Sequence, residues 1–132
     1  MNVFVDTSAI LALLIENDPN HASAVQAFYT FHDQDDDLVT TNYVVVETVS
    51  LIQRRFGMPI VRTFVDKLLP LLEVEWLDQS LHHSAVQSFL VANRRSLSLV
   101  DCASFVVMRR LGITVAFVFD EHFEEQGFRC LP

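Results

Sequence analysis

The stretch from Asn2 to Ile15 reads NVFVDTSAILALLI: an apolar run, Val3-Phe4-Val5, closed by the carboxylate of Asp6, then two hydroxyl residues, then a second apolar run from Ala9 to Ile15. The first run has no polar alternation, so it predicts a strand covered on both faces, as inside a parallel sheet. Asp6 then stands at the carboxyl end of a buried strand, the edge where open α/β sheets bind ligands. Thr7 and Ser8 can cap the helix that follows, leaving the Asp6 carboxylate free to face the crevice.

A second strand of the same character lies far along the chain. Ile113 to Phe119, ITVAFVF, is again apolar and is again followed by an aspartate, Asp120. Two buried parallel strands that end in Asp present both carboxylates on one edge of the sheet. Neither segment contains a Lys to neutralise them, and clustered carboxylates without a cation have their pKa values driven apart or upward. Anionic oxygen clusters are what Mg²⁺ and Mn²⁺ prefer. Asp101, in the first turn of its helix, and Glu47, set among Val44, Val45, Val46 and Val49, are placed to join them. An unpaired carboxylate is costly to bury among valines. Each acid also has a structural reading: Asp101 lies three residues after Ser98, a capping-box spacing, Glu47 can point to solvent, and Asp6 and Asp120 can each be an N-cap.

The intervening chain alternates helices and strands. Thr7 to about Glu16 and Asn20 to Phe31 read as helices, separated by a turn at Asn17-Asp18-Pro19. The run His32 to Asp37 reads as a solvated loop. Leu38-Val39-Thr40 is a second buried strand. The β-branched segment from Thr41 to Val49 favours a strand by propensity, yet a cap at Thr41 or Asn42, the spacing Val45, Val49, Ile52 and the stop at Gly57 predict a helix to about Arg55. Met58 to Leu72 predicts a helix with Ile60, Phe64, Val65, Leu68 and Leu69 on one face, ended or kinked by Pro70. Glu73 to Leu77 alternates as an edge strand does. Asp78 to Asn93, with Leu81, Ala85, Phe89 and Ala92 as its stripe, and Ser98 to Leu111, closed by Gly112, are helices. Glu121 to Gln126 is a short acidic helix, and Phe128 to Leu131 a last strand. The alternation implies an α/β domain, a parallel sheet of about five strands flanked by helices.

At 132 residues the chain predicts one domain, 1–132, with 51% apolar residues to fill its core. No apolar run is long enough to span a bilayer, and no Lys or Arg precedes the first apolar run, so a secretory signal is not expected. Cys102 and Cys130 lack metal-ligand spacing and read as reduced thiols of a cytoplasmic protein; Cys102 reads as a buried small apolar side chain. The net charge of −8 runs against nucleic-acid binding and suits a basic protein partner. Six of the eight Arg fall in the pairs Arg54-Arg55, Arg94-Arg95 and Arg109-Arg110. They read as helix ends complementing the macrodipole or as bidentate phosphate ligands. His122, beside the edge of the acid group, reads as a packing residue first, with contact to substrate as the alternative.

Taken together, VFVDTSAIL at the start, TTNYVVVETVSLI in the middle, and SLVDCASFVVMRRLGI followed by AFVFDEHFEEQGFRCL at the end resemble a PIN domain, in particular the small bacterial VapC-type ribonucleases. The resemblance covers nearly the whole chain in order. It implies a PIN-like fold whose acids matching Asp6, Glu47, Asp101 and Asp120 form a divalent-metal pocket, supported by Thr7 or Ser8 and by Asn42. The activity implied is RNA phosphodiester hydrolysis with one or two Mg²⁺ or Mn²⁺ held by Asp6, Asp101 and Asp120 and the pocket completed by Glu47. Many such proteins are toxins of toxin–antitoxin pairs, inhibited by a partner antitoxin, and many are homodimers. Glu121, Glu124 and Glu125 depart from the pattern, because VapC-type proteins often carry Arg or Lys there; Arg94, Arg95, Arg109 and Arg110 are the compensating RNA contacts expected.

Two other functions compete. One is a degenerate, non-catalytic PIN scaffold that binds a protein partner, motivated by the acidic surface. The other is phosphoryl transfer through an aspartyl-phosphate at Asp6, as in haloacid-dehalogenase-like phosphatases, which need a second acid where Ser8 stands.

Overall fold

The computed structural model describes residues 1–132. Five strands, β1 (Asn2–Val5), β2 (Asp37–Thr41), β3 (Glu73–Glu75), β4 (Val115–Phe117) and β5 (Arg129–Leu131), form one sheet in the order β3-β2-β1-β4-β5. Every pairing is parallel. β1 is central, and its residues Val3, Phe4 and Val5 are almost wholly buried, which is why the segment could carry no polar alternation. Seven helices cover the sheet: α1 (Thr7–Leu14), α2 (His21–Asp33), α3 (Asn42–Phe56), α4 (Met58–Thr63), α5 (Gln79–Ala92), α6 (Leu99–Leu111) and α7 (Glu121–Glu125). No helix is long and apolar enough to cross a membrane.

Local chemistry explains most boundaries. Thr41 caps α3 by accepting from the Val44 N–H at 3.1 Å, and Gly57 stops it at φ 88°, a backbone region that favours glycine. Cap and stop thus prevail over β-branched propensity. Gly112 closes α6 in the left-handed conformation.

Four expectations are corrected. Asp6, not Thr7 or Ser8, caps α1, accepting from the Ser8 N–H at 3.3 Å. The run His32 to Asp37 is not one loop: His32 and Asp33 end α2, Asp37 opens β2, and Asp36 binds the N-terminal amine at 3.3 Å. The expected helix from Met58 to Leu72 is α4 followed by a π-helical turn, Phe64–Leu68, and a 3₁₀ turn, Leu69–Leu71. In the π turn the Leu69 N–H reaches back to Phe64 O, which rotates the following face, so Phe64 and Leu68 are buried while Val65 is exposed. Finally, β4 ends at Phe117, because the next two N–H groups go to Leu131 O and to the Ser8 hydroxyl.

An aromatic cluster fixes α7. Phe123 is fully buried, 4.9 Å from the Phe105 ring of α6 and 6.1 Å from Phe4 of β1. At the other flank Trp76, the only tryptophan, follows β3 and is 74% exposed. Cys102 is buried and free, as expected.

Candidate functional site

β1 and β4 are parallel neighbours with Val5 opposite Phe117, and the Asp6 N–H donates to Phe117 O at 3.2 Å. The residues that follow the two strands therefore leave the sheet side by side. Ser8 ties them together: its hydroxyl donates to Asp6 Oδ2 at 2.9 Å and accepts from the Phe119 N–H at 3.0 Å. One hydroxyl thus orients the first acid and fixes the loop carrying the last. Ser8→Ala leaves the part-buried Phe119 N–H without its partner, so it should lower stability by about 1–2 kcal/mol; a change below about 0.5 kcal/mol in denaturant unfolding would contradict this role.

Asp101 comes from the first turn of α6, where the capping-box spacing is realised. Its N–H donates to Ser98 Oγ at 3.0 Å and its Oδ2 accepts from the Ser98 N–H at 3.2 Å. That bond occupies one carboxylate oxygen and leaves the other without a hydrogen bond from the protein. Glu47 comes from α3, which is held to α1 by a hydrogen bond between Thr48 and Thr7 hydroxyls at 3.2 Å. It is half-buried, and the Thr7 hydroxyl is near enough to favour its charged form. Asp120 caps α7, accepting from the His122 N–H at 2.8 Å. The capping readings of Asp6, Asp101 and Asp120 are therefore true, and the same caps aim the acids at one place.

The electrostatics show that convergence. Burial, then the charge of Asp101, with a smaller push from Glu47, raises Asp6 from 3.8 to about 7 against the pull of Ser8. Burial raises Glu47, opposed by the Thr7 hydroxyl and reinforced by Asp101 and Asp120. Burial also raises Asp101, with Asp120 adding to it and Ser98 and His122 opposing. Asp6 thus feels Asp101 and Glu47, and Glu47 and Asp101 both feel Asp120, which links the four acids in one group. No Lys or Arg stands within ion-pair distance of any of them. A carboxylate group of this kind, short of positive charge and rich in oxygen donors, fits a divalent cation.

The tightest donor group is Asp101, Asp120 and His122, one ligand atom from each lying within 4.8 Å of the others. Asp6 sits deeper, bound to Ser8. Sequence reasoning read His122 as packing, whereas the structure faces it toward the acids, with Nε2 4.0 Å from Asp120 Oδ1. Its spacing, two residues past a strand-end aspartate, was the available signal. Burial lowers His122, but Asp120, Glu125 and Asp101 more than reverse this, leaving it above the ordinary imidazole value.

The remaining expected residues are more dispersed. Asn42 Oδ1 accepts from the Leu77 N–H at 2.9 Å, tying α3 to the exit of β3. Arg94 pairs with Glu125 at 2.9 Å. Arg109 lies over the Phe128 ring at 5.2 Å and donates to Gln126 Oε1 at 2.8 Å. Arg95 and Arg110 are exposed without ion pairs.

Comparison with known proteins agrees with this architecture. The chain is 33% identical over 127 residues to the 23S rRNA-specific endonuclease VapC20 of Mycobacterium tuberculosis, covering 96% of this chain and 95% of that protein. The crystal structure of that VapC20, described as a Sarcin-Ricin loop cleaving toxin, superposes with a TM-score of 0.85 at 32% identity over the same shares of the two chains. FitAcB from Neisseria gonorrhoeae matches with a TM-score of 0.71 at 15% identity, covering 100% of this chain and 97% of that one, a likeness of fold alone. The PIN domain family model matches residues 3–129, and since that span contains every strand-end acid described above, the chain belongs to the PIN domain family.

Proposed function

We propose that this chain is a divalent-cation-dependent endoribonuclease of the VapC type, acting as one catalytic unit over residues 1–132. The observation that carries the reading is the meeting of Asp6, Glu47, Asp101 and Asp120 at one sheet edge with no Lys or Arg to pair them. The likeness to a 23S rRNA-specific endonuclease over nearly the whole chain supports RNA as substrate and a toxin's place in a toxin–antitoxin pair.

Asp6, Asp101 and Asp120 would hold Mg²⁺ or Mn²⁺. When bound, such a cation polarises the scissile phosphate and makes water a stronger nucleophile. The chain's own groups do the rest. Asp6, almost fully buried, fixes the depth of the pocket and excludes water behind it. Asp101 and Asp120, each restrained by its helix cap, would offer the cation the oxygen that the cap leaves free. Glu47, steadied by Thr7, is placed to orient the attacking water and accept its proton, aided by a pKa raised above the carboxylate norm. Hydrolysis joins the water oxygen to phosphorus and breaks the bond to a ribose oxygen, which leaves with a proton.

RNA cleavage should require Mn²⁺ or Mg²⁺ and should stop on addition of EDTA. Equal cleavage by wild type and Asp101→Asn would overturn the assignment. Arg95 and Arg110, free at the surface, are the better candidates for phosphate contacts than Arg94 and Arg109, which are engaged internally. The net charge of −8 suits a basic antitoxin as inhibitor, and a homodimer working in the cytoplasm is the assembly proposed.

A second reading is favoured by the acidic α7: a non-catalytic PIN scaffold that binds a basic partner. Failure of an intact fold to bind Mn²⁺ in calorimetry would support it over the nuclease.

A further inference from the structure

Beside the four acids lies a connected set of groups that the hydrolytic reading leaves unused. His122 stands in the first turn of α7, and its neighbour Phe123 locks that helix onto β1 and α6. One side of the imidazole looks into the pocket, where ligand atoms of His122, Asp101 and Asp120 lie within 4.8 Å of one another. Donors on one small divalent ion stand roughly 3–4 Å apart, so little movement separates this arrangement from a shared ion. On its other side Nδ1 is buried with no hydrogen-bond partner, and Glu125 Oε2 stands 3.6 Å from it. Glu125 is in turn held by Arg94 at 2.9 Å.

Metal-binding histidines regularly turn their second nitrogen toward a carboxylate, which fixes the ring and its tautomer. Glu125 occupies that place, and Arg94 anchors it. This gives part of the acidic segment after Asp120 a use that RNA contact would not. An imidazole nitrogen also alters the donor chemistry, because Mg²⁺ favours oxygen donors while first-row transition ions accept nitrogen more readily.

We propose that His122 is a nitrogen donor to the cation held by Asp101 and Asp120, positioned by Glu125 and Arg94, and that it biases the pocket toward Mn²⁺ over Mg²⁺. The inference rests on the nuclease reading of the same pocket but concerns which ion is held and by what.

The test is calorimetric titration of Mn²⁺ and, separately, Mg²⁺ into wild type, His122→Gln and Glu125→Gln, with pulsed electron paramagnetic resonance of the Mn²⁺ complexes. Wild type should bind Mn²⁺ more tightly and show nitrogen modulation from one imidazole. His122→Gln should lose that modulation and about 10- to 100-fold in Mn²⁺ affinity, with Mg²⁺ affinity changed much less. Glu125 is exposed, so Glu125→Gln should fold normally, retain the modulation and bind Mn²⁺ more weakly than wild type. Unchanged Mn²⁺ affinity and modulation in His122→Gln would overturn the inference and leave the nuclease reading intact. A wild type that binds neither ion would overturn both.

Discussion

Asp6→Asn should abolish RNA cleavage and at the same time raise the melting temperature of the metal-free protein. Asp6 is almost completely enclosed, and burial followed by the Asp101 charge holds its pKa at about 7. Keeping it ionised above that pH therefore costs up to about 4 kcal/mol relative to an unfolded chain, at about 1.4 kcal/mol per pKa unit. Asparagine removes the charge and keeps an oxygen to accept from the Ser8 N–H and hydroxyl, while its amide can donate to the neighbouring acids. The expected gain at pH 8 is several kcal/mol, or roughly 10 °C in Tm. Activity should fall by at least on the order of 100-fold, since a donor to the cation is lost. An inactive variant that is no more stable than wild type would show that the buried Asp6 charge carries no such cost.

Removal of divalent cations should likewise leave a protein that is more stable at pH 5 than at pH 8. Asp6, Glu47, Asp101 and His122 all stand above their ordinary values in the folded state. Over the interval between unfolded and folded pKa values the native state then binds more protons than the unfolded one. Stability is full below the unfolded carboxylate range, near pH 4, and is lost as pH rises through about 7. Glu125 is shifted the other way by Arg94, but it is solvent-exposed and its effect is small. Circular-dichroism melts in EDTA from pH 5 to pH 8 test this, with Asp6→Asn expected to give a flatter profile. Saturating Mn²⁺ should restore stability above pH 7, because a ligand that binds only the folded, ionised pocket adds its binding free energy. A metal-free Tm that climbs steadily over this interval would refute the charge-repulsion account.

These effects could be foreseen in part because the decisive segments are short and unambiguous. A triplet such as Val3-Phe4-Val5 before Asp6 has few ways to be buried, and its counterpart before Asp120 repeats the pattern, so the parallel edge and its acids followed from elementary sheet geometry. Glu47 was legible because valines surround it. What escaped notice depended on contacts between distant residues. The early end of β4 requires the Ser8 hydroxyl, which lies 111 residues away in sequence. The exposure of Val65 depends on a single π turn that no residue pattern announces. His122 was hidden because a lone histidine near an aspartate is common, and only the anchoring of α7 by Phe123 turns it toward the pocket. The acidic helix α7 departs from an RNA-facing edge, and its Glu125 stands between His122 and Arg94, a contact that spacing along the chain does not announce.

The placement of Trp76 has an optical consequence. An indole already surrounded by water in the native state emits much as it would from a denatured chain. Tryptophan fluorescence should therefore remain nearly silent while the core melts. The same ring projects beside the exit of β3, on the carboxyl rim of the sheet, so a base or side chain that settled against it would quench or shift its light. The protein thus carries a spectroscopic label suited to watching association and ill-suited to following unfolding.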